Sequence, residues 1–168
     1  MNKTQQKKIF DQWLHEYPGI FYKIVRSHAF TPADQDDLFQ EISLQVWQSI
    51  PNFRGESKPS TWIYRVALYA AAAWVRQEKK QPTTSPLGPI EHTLITSQQQ
   101  DERLNWLYHE IGQLEPLDRS ICLLMLEGYT YQEIADLIGI SASNVGVKIH
   151  RLKTHLQRKS MELQSHEI

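Results

Sequence analysis

The sequence predicts an all-α protein: two small helical domains joined by a flexible linker, the C-terminal one containing a helix-turn-helix. Three observations carry this. Apolar residues recur at spacings of three and four through most of the chain, and no strand-like alternation is long enough to compete. Residues 82–100, PTTSPLGPIEHTLITSQQQ, hold three prolines, a glycine and many Ser, Thr and Gln residues, which argues against a packed element. Residues 129–156, YTYQEIADLIGISASNVGVKIHRLKTHL, read as two short helices around a tight turn. The expected organisation is therefore a domain at 1–81, a linker at 82–100 and a second domain at 101–164.

In the first domain, Ile9, Trp13 and Leu14, then Ile20, Phe21, Ile24 and Val25, give helical spacings on either side of Pro18–Gly19. Thr31 before Pro32 is a capping residue followed by proline at the first helical position. Leu38, Phe39, Ile42, Val46 and Ile50 supply the apolar side of the helix that follows. Asp37, Gln40, Glu41, Leu44 and Gln48 occupy another side. Pro51 is expected to end this helix. A polar loop, Asn52–Ser60, leads to a third helix from near Thr61 to about Lys80, favoured by four alanines at 70–73.

After the linker, Leu104, Leu107 and Ile111 mark one helix; Leu117, Ile121, Leu124 and Met125 mark the next, closed by Gly128. Thr130 and Glu133 then form a capping box. Ile134, Leu137 and Ile138 share one apolar side, Gly139 suits a left-handed helix end, Ile140 plugs the turn and Ser141 caps the next helix. There Val145, Ile149, Leu152 and Leu156 form a buried stripe. The opposite side carries Ser143, Asn144, Lys148 and Arg151. A helix with one apolar stripe and one cationic, amide-bearing face has the chemistry for phosphates and base edges in a DNA major groove.

At 168 residues with 40% hydrophobic content and five tryptophans, the chain has material for real cores. No apolar run approaches the roughly 20 residues that span a bilayer. The N-terminus, MNKTQQKKIFDQW, lacks a secretory signal's apolar segment, so a cytoplasmic protein without membrane contact is expected. Cys122 is the only cysteine, which excludes an internal disulfide; within the apolar run Ile121–Leu126 it reads as a buried structural thiol. The net charge of −1 conceals a pattern. Residues 51–81 carry six Lys/Arg against two acids, and residues 141–168 carry five against two. Residues 82–140 carry two against nine, so two basic patches flank an acidic stretch, which suggests two nucleic-acid contacts on one molecule. There is no Gly-rich phosphate loop, no His-Glu-x-x-His and no Cys pair for zinc. No catalytic, metal or cofactor site is expected. The seven histidines are scattered, and His150 reads as a surface residue.

Residues 36–48, DDLFQEISLQVWQ, followed by 52–65, NFRGESKPSTWIYR, resemble the core-binding and promoter-melting helices of bacterial RNA polymerase sigma factors. With a helix-turn-helix about 70 residues later, the chain resembles the extracytoplasmic-function (ECF) group over most of its length. The specific pieces are Asp-Leu-x-Gln-Glu at Asp37–Glu41, Phe-Arg-Gly-Glu-Ser at Phe53–Ser57 and Thr-Trp-x-Tyr-Arg at Thr61–Arg65. The resemblance implies a subunit without enzyme activity that binds core RNA polymerase and recognises promoter DNA, both duplex and unpaired strand. It implies that Asp37, Gln40, Glu41, Leu44 and Gln48 dock on a coiled coil of the largest polymerase subunit. The loop would capture an unstacked −10 base with Asn52, Arg54, Lys58 and Ser60, and Trp62 and Tyr64 are the nearest stacking candidates. Phe53 and Trp47 are expected in the core.

Arg65, Tyr69, Ala72 and Arg76 share a face of the next helix, which the resemblance places along the −10 duplex edge. Many ECF members carry asparagine where Tyr69 stands and aspartate where Ala73 stands, so a different −10 preference is implied here. Ser143, Asn144, Val147, Lys148 and Arg151 would read the −35 element. Gly146 stands where a basic residue is common; close backbone approach to DNA and simple tolerance both remain open. ECF relatives are often held inactive by an anti-sigma protein, and one is an expected partner. Two other readings stand beside this one. A stand-alone helix-turn-helix regulator would dimerise on paired half-sites. A decoy that titrates an inhibitor is motivated by the polar residues missing at 69 and 73.

Overall fold

The computed structural model describes residues 1–78 and 102–166, and the segment read as a linker, 82–100, lies outside them. Among the described residues all regular structure is helical: α1 Lys3–Glu16, α2 Pro18–His28, α3 Pro32–Ser49, a 3-10 turn at Ile50–Asn52, α4 Pro59–Glu78, α5 Glu102–Gly112, α6 Pro116–Leu126, α7 Tyr131–Ile138 and α8 Ala142–His166. The chain divides into two compact units, Met1–Tyr108 and His109–Ile168.

Local chemistry sets the helix starts in the first unit. Asn2 and Gln5 form a capping box at α1, which the sequence reading did not anticipate. Thr31 Oγ1 accepts from the Asp34 amide at 3.2 Å, with Pro32 in the first turn of α3. α4 begins at Pro59 rather than near Thr61. Proline's fixed φ already suits a first helical position, and the Lys58 carbonyl accepts the Trp62 amide at 3.1 Å. Pro51 does not follow α3 directly. The chain first tightens into the 3-10 turn that contains it.

α3 packs chiefly on α4, α2 rests against both, and α1 lies across α3 and the 3-10 turn. Leu38, Ile42 and Val46 of α3 and Ile50 of the 3-10 turn join Ile63, Ala67, Leu68 and Ala71 of α4 in a core shared with Phe21 and Ile24 of α2; all are buried. Each large apolar side chain buried this way contributes roughly 1.5–3 kcal/mol. Asp37 and Trp74 add a polar pin between α3 and α4, with the indole Nε1 donating to the carboxylate at 3.0 Å. Arg26 is buried as well. Its Nη1 donates to Tyr22 Oη at 3.0 Å and its guanidinium lies 4.7 Å from the Tyr108 ring centroid, all within the first unit.

In the second unit α8 packs on α6 and α7. Ile121 and Leu124 of α6, Ile134 and Leu137 of α7, and Val145, Ile149 and Leu152 of α8 form its core. Leu117 is exposed on α6, off the face its neighbours bury. The Thr130–Glu133 capping box is present, and Gly139 ends α7 at φ +86°, where a Cβ would be strained. Ser141 Oγ then accepts from the Asn144 amide at 3.1 Å. Arg119 is buried, and its Nε donates to the Leu114 carbonyl at 2.6 Å. Burial lowers its pKa, with Glu115 opposing that shift. Cys122 is fully buried, and burial followed by the Asp118 charge pushes its thiol up to about 11.

Candidate polymerase and nucleic-acid interfaces

The outer side of α3 presents Asp37, Gln40, Leu44 and Gln48 as exposed residues, with Glu41 half-buried among them. Leu44 is 47% exposed, an apolar residue in the middle of an acidic and amide-rich strip. Two members are also engaged by residues outside the strip. Asp37 receives the Trp74 indole, and Glu41 Oε1 accepts from Gln45 Nε2 at 3.0 Å.

The loop after α3 is pinned at its base and open at its tip. Phe53 stands edge-on to Trp13, with centroids 5.3 Å apart, and is tilted against Trp62 at 5.5 Å. Trp62 Nε1 donates to Ser49 Oγ at 3.0 Å. Phe53 therefore anchors the loop, as its sequence context implied. Trp62 is half-buried with its ring and nitrogen engaged, so it braces the loop rather than standing open to a base. Tyr64 is only 2% exposed, and its ring presents no face to solvent. Arg54 and Lys58 are exposed on either side of Gly55, whose φ of +74° turns the tip; Ser60 is half-buried at the α4 start.

Along α4, Arg65, Tyr69 and Arg76 are exposed on one face, Tyr69 at 58%. A groove of about 530 Å³ runs between α3 and α4, which is ample for a nucleobase. Glu41 and Gln48 line its α3 wall, Asn52 lines one end, and Arg65, Tyr69 and Ala73 line its α4 wall. Residues assigned separately to polymerase and to −10 DNA thus border one concavity. Ala73, small and half-buried, leaves space in that wall.

On α8, Ser143, Asn144, Val147 and Arg151 are exposed at helical spacing. Val147, at 48% exposure, offers an apolar contact between polar neighbours. Lys148 differs from the rest. It is half-buried and paired with Asp118 of α6, Nζ to Oδ1 at 3.2 Å. Sequence reasoning missed that acid, which carries no local signal because it meets Lys148 only where α6 and α8 pack. Tyr131, at the start of α7, is 46% exposed. Among the described residues no cluster of His, Cys, Asp or Glu could hold a metal ion, and no helix is long and apolar enough to cross a membrane.

Comparison with known proteins gives the class. The sigma-70 region 2 family matches residues 14–81, and the sigma-70 region 4 family matches residues 104–156. The chain belongs to the sigma-70 family, and within it to the ECF sigma factors of RNA polymerase. It is 26% identical to the RNA polymerase sigma factor YlaC of Bacillus subtilis, over 95% of this chain and 94% of that protein. It is also 26% identical to the ECF sigma-E factor of Haemophilus influenzae, over 97% and 94% of the two chains. The sigma-E factor of Escherichia coli K12 matches at 26% over 78% and 76%.

Solved structures share the fold at lower identity. CnrH, in complex with the cytosolic domain of CnrY, matches with a TM-score of 0.65 and 18% identity over 93% of this chain and 90% of that one. The sigma factor RpoE of Bartonella quintana, in complex with the anti-sigma factor NepR, matches with a TM-score of 0.65 and 14% identity over 90% and 96%. Sigma factors are non-catalytic DNA-recognition subunits that direct transcription initiation.

Proposed function

We propose that this sigma factor divides promoter recognition between a concave surface for unpaired DNA and a convex one for duplex. The groove between α3 and α4 carries the proposal, because it gathers Asn52, Arg65 and Tyr69 around a space large enough to take a nucleobase. Domain one, 1–81, binds core polymerase through Asp37, Gln40, Glu41, Leu44 and Gln48. It takes the −10 strand on Asn52, Arg54, Lys58, Ser60, Arg65, Tyr69 and Arg76. Residues 82–100 connect it to the helix-turn-helix domain, 101–164, whose Ser143, Asn144, Val147 and Arg151 read the −35 duplex, with Lys148 held by Asp118. An extruded base stacked on an aromatic ring is held by roughly 1–3 kcal/mol, which offsets part of the cost of unpairing.

Tyr69 and Ala73 offer a ring and a space where many relatives offer polar groups, which supports a −10 preference of its own. An anti-sigma protein is the proposed regulator, since the solved structure of RpoE is a complex with the anti-sigma factor NepR and that of CnrH a complex with the cytosolic domain of CnrY. The proposed compartment is the cytoplasm.

The test is multi-template transcription with core polymerase and a genomic fragment pool, with and without this chain. Discrete new start sites sharing upstream motifs are expected. Stable co-elution with core but no new starts would leave a decoy. Tight binding to duplex DNA without polymerase would return the case to a stand-alone regulator.

A further inference from the structure

Gly146 has no side chain, yet an aromatic ring from α7 lies beside it. A Cβ built there would lie 3.5 Å from both Cδ2 and Cε2 of Tyr131. The ring comes from the first residue of α7 and remains 46% exposed. Position 146 sits beside the exposed Val147 and one helical turn from the exposed Ser143, at the edge of the face proposed to read DNA. Tyr131 therefore occupies the direction in which a side chain from 146 would project. It does so from the helix that, in a helix-turn-helix, crosses the DNA backbone while its partner enters the groove. With α8 in a major groove, a phenol in that position would face the sugar-phosphate wall, where Tyr hydroxyls commonly donate to phosphate oxygens.

We propose that Tyr131, seated over Gly146, is a further promoter-contacting residue. Its ring stands in for a side chain at position 146, and its hydroxyl donates to one backbone phosphate of the −35 duplex. This rests on α8 being the −35 reading helix. Glycine at 146 is then neither idle nor a point of direct backbone approach to DNA, because the ring covers it. A methyl group fits there, since 3.5 Å is ordinary contact, whereas a long basic side chain would have to share that space with the ring.

The experiment measures promoter binding by holoenzyme, formed from core polymerase and the full chain, against salt concentration. The DNA is the strongest promoter recovered with the wild-type chain. Tyr131→Phe removes only the hydroxyl and should weaken binding about tenfold, as for a hydrogen bond to a charged acceptor. The salt slope should not change, because the lost group is neutral. Gly146→Ala should bind as wild type. Gly146→Arg should steepen the slope by about one unit as a cation replaces the phenol. One uncharged methylphosphonate in the −35 strand should weaken wild type but leave Tyr131→Phe no weaker than before. Thermal melting of each variant controls for folding. Wild-type binding by Tyr131→Phe overturns the proposal. If Arg151→Ala weakens binding in the same experiment, only the role of Tyr131 falls; if neither change matters, α8 is not the −35 reader.

Discussion

In the first unit the exposed amides and cations surround a concavity; in the second they ride on a convex helix. The groove between α3 and α4 is walled partly by small residues such as Ala73, with Tyr69 at its lip, whereas α8 offers Asn144, Val147 and Arg151 outward. Shape follows the state of the DNA each is proposed to meet. An unpaired base exposes its π-face and is held by enclosure and stacking. A duplex hides those faces and shows only groove edges and phosphates, which a protruding helix can reach. The cations differ too. Arg76 is exposed in the last turn of α4, while Lys148 of α8 is held by Asp118. A basic residue on the surface of a sigma factor is therefore a DNA contact only after its intramolecular partners are counted.

The sharpest break of this comparison is Tyr69→Ala. Losing the stacking ring should lower run-off transcription by about 5- to 150-fold while core polymerase binding and −35 dependence persist. An equal loss on a promoter with a pre-melted −10 region would confirm stacking; full rescue by pre-melting would assign Tyr69 to strand opening instead. Next in size, Arg151→Ala should weaken holoenzyme binding and reduce the salt slope by about one unit. An unchanged slope would remove Arg151 from the phosphates.

Asp118→Asn probes the held cation. Releasing Lys148 should raise affinity for −35 DNA a few-fold, and Lys148→Ala in that background should cancel the gain. The half-buried pair itself is worth no more than about 1 kcal/mol, so melting should fall by at most about 4–8 °C. A gain that survives Lys148→Ala would mean simple loss of a repelling acid.

The smallest effect is Cys122 in the second unit's core. Its thiol is raised from 9.0 to about 11, so the folded state favours the protonated form. That contribution to stability is complete below pH 9 and is lost as pH rises through about 11. Melting temperature of the wild type should therefore fall more steeply over that range than that of Cys122→Ala. Alkylation of native protein at neutral pH should proceed only as fast as the unit opens.

Much of the fold was legible because its signals are short-range. The Thr31, Thr130 and Ser141 caps, the Gly139 stop and the stripe of Val145, Ile149 and Leu152 each follow from residues within one or two turns. Boundaries slipped where two rules competed, as at Pro59, where a proline that starts a helix resembles the end of a loop. The aromatic residues of the −10 segment were less legible. Trp62 and Tyr64 look alike in sequence as stacking candidates, yet Ser49 and Phe53 engage one and the core buries the other, leaving Tyr69 as the exposed ring.

By itself the sequence determined the all-helical fold and its class, since helical period, caps and three ordered motifs need no knowledge of neighbours in space. Only the tertiary structure decided which surface groups are already engaged. Trp74 reaches Asp37 across 37 residues, Lys148 reaches Asp118 across 30, and Tyr131 finds Gly146 across the turn. Such pairings depend on how helices cross. Packing of the apolar stripes sets that geometry, and no local pattern encodes it.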